Sequence, residues 1–314
     1  MARVIEALYD GAKYQGKTMR WEGERESTNI EDRRGSGGGG GLPIGGRGIG
    51  LGTVAIALVA GWIFGINPLT LLSMFAGGGG PVAEAPSRQP QAPAGRTGTP
   101  DDTGGRFASV VLASTEDVWT RIFQQAGARY EPPPLVLYSG RTRTACGLGE
   151  AAAGPFYCPG DRKVYIDLDF YRILKERLGA PGEAAQAYVI AHEVGHHVQN
   201  LTGTMNKIEQ ARRQMSEAQY NQVSVRLELQ ADCYAGVWAY HSQQAKRWLD
   251  PSDIEQAINA AAAVGDDRLQ RQSQGMVRPE TFTHGSSAQR VRWFKTGAQS
   301  GDVNQCDTFS RNAG

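Results

Sequence analysis

The sequence predicts an α+β fold in which a small N-terminal antiparallel sheet, formed around a hairpin, packs on a mainly helical bundle preceded by one transmembrane helix. Three observations support this prediction. An apolar run without charged residues comes early in the chain, short extended runs cluster within residues 135–168, and helical periodicity dominates from residue 170 almost to the end. The sheet therefore precedes the bundle along the chain, as in α+β domains.

The apolar run covers residues 49–66 and reaches the lower end of the length that crosses a bilayer as a helix. We assign residues 48–67 to an uncleaved signal-anchor helix. A cleavage site at residues 83–85 and a buried core helix are the alternatives. Arginines precede the run, and the first positive charge after it is Arg88, so the positive-inside rule puts residues 1–47 in the cytoplasm as a disordered tail. The rest of the chain is then expected on the periplasmic or cell-surface side of the cytoplasmic membrane.

A folded domain is expected after a linker. Residues 77–105 are rich in Gly, Pro, Ala and Thr, which predicts the linker, and residues 106–314 form the domain. The domain begins with an amphipathic helix, continues with a strand over residues 135–138, and then forms a hairpin of residues 156–158 and 164–168. Lys and Arg number 33 against 32 Asp and Glu, a net charge of +1, so no nucleic-acid partner is expected.

The four cysteines are Cys146, Cys158, Cys233 and Cys306. An even number in an oxidising compartment favours two disulfides, and no CxxC pair indicates a zinc ribbon or a redox motif. Three pairings are possible. We favour Cys146 with Cys158, because two short extended runs there face each other across a hairpin, which leaves Cys233 with Cys306. Four buried free thiols are the alternative.

One motif carries the candidate chemistry. Residues 192–196 read HEVGH inside the predicted helix of residues 183–199. The i, i+4 spacing puts His192 and His196 on one helix face, as two ligands of one zinc ion must be. Glu193 lies beside them and is the predicted general base, which takes a proton from a zinc-activated water and returns it to the leaving amine. His197 points away from that face, and we expect it to pack or to support a ligand.

A catalytic zinc ion needs a third protein ligand. The metzincin spacing requires Gly at position 199 and His at 202, where this chain has Gln199 and Thr202. Glu228 begins an E-x-x-x-D element on a second predicted helix and is our third ligand. Asp232, one turn later, is expected to accept the second ring N–H of a histidine ligand. Asp232 or His241 as the third ligand is an alternative, and so are two acids on a solvated helix face.

Four stretches resemble a known family in order along the chain: GPFYCPGDRKVYID (154–167), HEVGHHVQ (192–199), LELQADCYAGVW (227–238) and FTHGSSAQRVRWF (282–294). With them the chain resembles the bacterial neutral zinc metallopeptidase family, HExxH peptidases of the gluzincin type, over most of residues 107–310. The E-x-x-A-D element also resembles that of the membrane-embedded prenyl-protein peptidases, many of which have Glu in place of Gln230. The resemblance implies a zincin-like bundle and a membrane-tethered, zinc-dependent peptidase.

Three further features bear on catalysis. Related peptidases carry an edge strand that aligns the substrate backbone by β-addition, and we expect the hairpin near Tyr157 and Tyr165 to supply it. His284 precedes a helix cap and is the candidate donor to the oxyanion, with a surface or capping histidine as the alternative. Arg290 is a weaker candidate, because an arginine between apolar helix residues is more often a structural ion-pair partner.

The sequence therefore predicts one zinc ion as the sole cofactor, bound by His192, His196 and Glu228, with Glu193 as base. The expected substrates are extracytoplasmic proteins or peptides, and the expected membrane contact is the single span. A catalytically inactive, zinc-stabilised peptide-binding adaptor is the alternative, although a purely structural site needs no base such as Glu193. An intramembrane protease is excluded, because the HExxH helix lies far from the apolar run and carries polar residues.

Overall fold

A five-stranded sheet packs against a body of eight helices in the part of the chain that the computed structural model describes, residues 19–34, 95–150 and 154–310. The strands are β1 (Ile30–Asp32), β2 (Arg96–Thr97), β3 (Leu135–Tyr138), β6 (Phe156–Cys158) and β7 (Lys163–Asp167), with a separate hairpin of β4 (Arg141–Thr144) and β5 (Gly147–Glu150). The helices are α1 (Thr103–Gln125), α2 (Asp169–Glu176), α3 (Glu183–Leu201), α4 (Thr204–Arg212), α5 (Glu217–Lys246), α6 (Pro251–Ala263), α7 (Asp266–Gln274) and α8 (Ser287–Ser300). The predicted α+β class is confirmed.

The sheet is mixed, so the predicted small antiparallel sheet is wrong in its topology. Its strand order is β2-β1-β3-β7-β6. Strand β3 pairs in parallel with both β1 and β7, and only β1–β2 and β6–β7 are antiparallel. The chain returns to β7 through the β4–β5 hairpin and β6, and this long connection lets β3 and β7 run in the same direction.

Residues 19–34 are part of this fold. Met19, Trp21 and Ile30 are buried in the main core, and β1 lies between β2 and β3. The Trp21 indole donates to Glu183 at the start of α3 over 3.1 Å. The predicted disorder is therefore wrong for residues 19–34, and the side of the membrane on which they lie stays a prediction.

The predicted linker of residues 77–105 is also wrong for its last residues. Strand β2 falls within it, and α1 begins at Thr103, where the Asp102 side chain caps the helix by accepting from Gly105 N. A Cβ on Gly105 would lie 2.4 Å from Pro100, so this glycine permits a close approach. The Gly/Pro composition at residues 95–105 therefore reflects a helix start, not a spacer.

The two sheet faces pack against different partners. Leu135, Leu137, Val164 and Ile166 face the helices and belong to the main core. The other face carries a second cluster of Val136, Tyr138, Cys158 and Tyr165. Alternation along the strands thus buries both faces.

The cysteine pairing that the sequence favoured is confirmed. Disulfides join Cys146 to Cys158 and Cys233 to Cys306. Cys146, however, lies in the turn between β4 and β5, so this bond ties a separate hairpin to the end of β6 instead of crossing between two facing strands. The second bond ties α5 to a 3-10 turn (Val303–Cys306) that follows α8.

Close contacts bring two core helices, α3 and α8, against α5. A Cβ on Gly195 of α3 would lie 3.0 Å from the Ala231 carbonyl oxygen of α5, and one on Gly297 of α8 would lie 1.9 Å from the Cys233 carbonyl oxygen. Helix α5 is therefore in backbone contact with both neighbours. No helix within the described ranges combines the length and apolar character that a membrane crossing needs, and the predicted signal anchor at residues 48–67 lies outside those ranges.

Candidate metal centre

The HExxH helix and α5 bring three candidate ligands together. His192 Nε2 lies 3.2 Å from Glu228 Oε2, and His196 Nε2 lies 3.4 Å from Glu228 Oε1. One ligand atom from each of these residues lies within 4.8 Å of the other two, and among the described residues this is the group of His, Cys, Asp or Glu that could hold a metal ion. The contact at Gly195 sets this geometry, because Glu228 lies one turn before Ala231 on α5.

The Nδ1 atoms of both imidazoles, on the side away from Glu228, face hydrogen-bond acceptors. His192 Nδ1 lies 2.9 Å from Asp232 Oδ1, and His196 Nδ1 lies 2.9 Å from Gln199 Oε1. With Nδ1 as the donor, each Nε2 directs a lone pair at the Glu228 carboxylate. Acceptors that face one another need a cation or a proton between them, so the residues fit a divalent metal with nitrogen and oxygen ligands, such as zinc.

A buried ion pair holds the acceptor on the His192 side. Asp232 is fully buried and receives two bonds from Arg290, from Nε over 2.8 Å and from Nη2 over 3.0 Å. The Tyr188 hydroxyl also donates to Asp232 and accepts from Arg290 Nη2 over 3.2 Å. Burial alone would raise the pKa of Asp232, but the Arg290 charge lowers it. Arg290 is thus the ion-pair partner that the sequence suggested, and it lies directly behind a candidate ligand.

The charges at the centre shift the pKa values of its members. Burial alone would lower the pKa of His192, but hydrogen bonds and charge attraction from Asp232, together with a hydrogen bond to Glu228, raise it to about 10. Burial opposes ionisation of Glu228, yet His196 and His192 lower its pKa well below the usual range. Burial raises the pKa of Glu193, which is only 7% exposed. A raised pKa brings a carboxylate closer to the range in which it exchanges protons efficiently.

His284 lies near enough to Glu228 for their charges to interact, and it is held by a residue that the sequence analysis missed. Asp266, at the start of α7, accepts from the backbone N–H groups of Thr283, His284 and Gly285 and lies 3.1 Å from His284 Nδ1. Burial alone would lower the pKa of His284, but Asp266 and the charge of Glu228 raise it. Neither the spacing nor the composition around Asp266 signals this contact, because it depends on the packing of α7 against the loop.

Other candidates lie away from the three ligands. His197, also on α3, contacts other groups: its Nδ1 lies 3.1 Å from the Tyr157 hydroxyl and its Nε2 lies 2.7 Å from the Glu131 carbonyl oxygen. Burial lowers the pKa of His197 to about 4. His241 binds the Gly301 carbonyl oxygen over 2.8 Å. Asp232 pairs with Arg290. Neither Asp232 nor His241, the alternative third ligands, therefore faces the Nε2 atoms of both histidines as Glu228 does.

The edge strand that the sequence anticipated is β6. It closes the sheet beside β7, and Tyr157 at its centre also receives a bond from Asn200 of α3 over 2.8 Å. The outer edge of the sheet thus runs next to the helix that carries the histidines.

Comparisons with known proteins identify a family and several relatives. The profile of the family described as "Putative neutral zinc metallopeptidase" matches residues 19–309. The chain is 50% identical over 301 residues to "Uncharacterized protein YpfJ" of Escherichia coli K12, covering 94% of this chain and 100% of that protein. It is 44% identical over 215 residues to "Uncharacterized protein Rv2575" of Mycobacterium tuberculosis H37Rv, covering 65% of this chain and 72% of that protein. No solved structure matches the chain.

Proposed function

The chain belongs to the neutral zinc metallopeptidase family, and from this premise we propose that it is a zinc-dependent peptidase that hydrolyses peptide bonds of extracytoplasmic protein or peptide substrates. One observation carries the proposal. The Nε2 atoms of His192 and His196 both meet the Glu228 carboxylate while acceptors hold their Nδ1 atoms. A catalytic zinc site requires three protein ligands, and this arrangement supports their assignment to these residues.

Each residue has a distinct role in this proposal. His192, His196 and Glu228 bind one zinc ion, and the chemistry that a bound zinc ion supplies is polarisation of the peptide carbonyl and a lower pKa for the attacking water. Glu193 takes the proton from that water and delivers it to the leaving amine, and its raised pKa supports this exchange. No further cofactor is part of the proposal.

His284 is proposed to donate a hydrogen bond to the negative charge that develops on the carbonyl oxygen. Its raised pKa keeps it protonated over more of the neutral range, and Asp266 fixes its Nδ1 side. Strand β6 is proposed to bind the substrate backbone by β-addition, since it is the sheet edge beside α3. Two disulfides support a location outside the cytoplasm.

The test uses the full chain, because a fragment that starts at residue 107 would lack β1 and β2. Elemental analysis should find about one zinc ion per chain and a large loss in Glu228→Ala. Cleavage of a peptide library should fall by roughly 100-fold to 10,000-fold in Glu193→Gln, while that variant keeps its zinc.

Two outcomes would contradict the proposal. A folded parent chain that binds no zinc would remove the catalytic site. A parent that binds zinc but cleaves peptides no faster than Glu193→Gln would favour the inactive peptide-binding adaptor instead.

A further inference from the structure

Three buried amide and carbonyl groups continue from His196 toward the C-terminal end of the domain. Gln199 Oε1 lies 2.9 Å from His196 Nδ1, and Gln199 Nε2 donates to Gln230 Oε1 over 3.2 Å. Gln230 Nε2 then donates to the Cys306 carbonyl oxygen over 3.0 Å. Gln199 is fully buried and Cys306 is nearly so, so water does not compete strongly for these bonds.

The direction of this amide relay is fixed by backbone carbonyl groups. A carbonyl oxygen only accepts, so the Cys306 oxygen requires that Gln230 present its NH₂ group there and its oxygen toward Gln199. The Leu227 carbonyl oxygen imposes the same requirement on Gln199, whose Nε2 donates to it over 2.7 Å. Gln199 must therefore present its oxygen to His196, and His196 must carry its proton on Nδ1.

The C-terminal turn that supplies the last carbonyl is itself anchored. Cys306 is bonded to Cys233 of α5. Beyond it, the Thr308 hydroxyl donates over 2.6 Å to the carbonyl oxygen of Arg226, two residues before Glu228 on α5. The relay thus ends at a point that is covalently fixed to the same helix as the third candidate ligand.

We propose that Gln199 and Gln230 are positioning residues that hold His196 in its Nδ1–H tautomer, with the Cys306 carbonyl setting the direction of the relay. The inference rests on the proposed zinc site for its purpose, because this tautomer leaves the Nε2 lone pair available to a metal ion. Groups that hold the second nitrogen of a histidine ligand typically contribute 10–100-fold to metal affinity.

Substitutions at position 199 separate positioning from packing. Gln199→Met removes every hydrogen bond of the side chain and should lower zinc affinity by roughly 10-fold to 100-fold. Gln199→Glu also loses the bonds to Leu227 and Gln230, but it keeps an acceptor for His196 and should retain most of the affinity. Gln230→Met should cost less than about tenfold, because Leu227 still orients Gln199. Gln186→Met, in the same helix, is the matched control and should bind zinc as the parent does.

Zinc affinity is measured in the full chain by competition with a chromophoric chelator. A second readout needs no metal: the chain has five histidines, and ¹⁵N labelling of histidine alone reports the tautomer of each ring. His196 Nδ1 should carry a proton in the parent and in Gln199→Glu, whereas Gln199→Met should also populate a form in which only Nε2 is protonated.

The relay is overturned if Gln199→Met keeps the parental tautomer and zinc affinity, or if the Met and Glu variants lose affinity equally. Thermal melting of the metal-free variants shows that each is folded before it is compared. If the parent binds no zinc, the proposed function fails, and the metal-free tautomer still decides whether the relay exists.

Discussion

His192 and His196 lie one turn apart on α3, yet the groups behind them differ in charge. Asp232 and Arg290 form an ionic half behind His192, whereas Gln199 and Gln230 form an amide half behind His196. An anionic acceptor makes an imidazole a more basic ligand, while an amide selects its tautomer without adding charge. The structure therefore has a buried anion behind only one of the two histidines, beside a candidate third ligand, Glu228, that is itself anionic.

The halves also depend on different parts of the chain. The ionic half is formed between α5 and α8, which are in backbone contact at Gly297. The amide half ends at the turn that holds Cys306. Damage to the C-terminal turn should therefore reach His196 before it reaches His192.

Large losses of stability are expected first, and one of them should follow removal of the cation in the ionic half. Arg290→Met leaves Asp232 buried without a counter-charge, so the free energy of unfolding should fall by about 3–5 kcal/mol. Urea unfolding of the metal-free full chain measures it. Arg292→Met, an exposed arginine of the same helix, should cost about 1 kcal/mol or less. Equal losses in the two variants would mean that the ion pair contributes nothing special.

Removing each disulfide in turn should show that only one of them supports the amide half. The Cys233→Ala/Cys306→Ala pair opens a link over a sequence separation of 73, against 12 for Cys146→Ala/Cys158→Ala. Loop entropy predicts losses of about 4.5 and about 3 kcal/mol respectively. Only the first pair should also weaken zinc binding, because it releases the Cys306 carbonyl. Equal zinc affinity in the two double variants would show that the C-terminal turn does not influence His196.

Charge in the ionic half should be visible in metal affinity. Asp232→Asn keeps an acceptor for His192 but removes the anion, so zinc affinity should fall by roughly 10-fold to 100-fold in a chelator competition. A parental affinity would show that the two halves are equivalent and that the charge at position 232 is not used.

The smallest expected effect is a shift of pH dependence at His284. Asp266 and Glu228 raise the pKa of His284, so its protonated form persists to higher pH. Asp266→Asn removes one of these charges, lowers that pKa, and should move the alkaline limb of the kcat/KM profile down by about one pH unit. The profile of peptide cleavage checks this. An unmoved limb would remove His284 from the reaction.

Spacing along a helix predicted which residues meet, and tertiary packing decided the rest. The i, i+4 positions of His192 and His196, and of Glu228 and Asp232, can be read from the sequence because one helix turn fixes them. The amide half cannot be read in this way, since the direction of Gln199 and Gln230 depends on carbonyl groups of distant segments.

The N-terminal strand shows the same limit on a larger scale. β1 has the sequence IED, with no alternating apolar pattern, and Arg33 and Arg34 follow it directly. It is a strand because β2 and β3 pair with it and because Trp21 and Ile30 fill the core. Charged composition alone indicated a disordered tail, and pairing partners far along the chain overrode it.

Non-covalent contacts hold segment 19–34 against the rest of the described chain. Ser27 and Arg25 bind Glu116 of α1 over 2.6 and 3.1 Å, and β1 completes the sheet beside β3. Strand addition of this kind also operates between separate chains. A proteolytic nick between residues 34 and 95 would therefore leave the segment in place as a non-covalent complement. A synthetic peptide of residues 19–34 would then allow this segment to be exchanged.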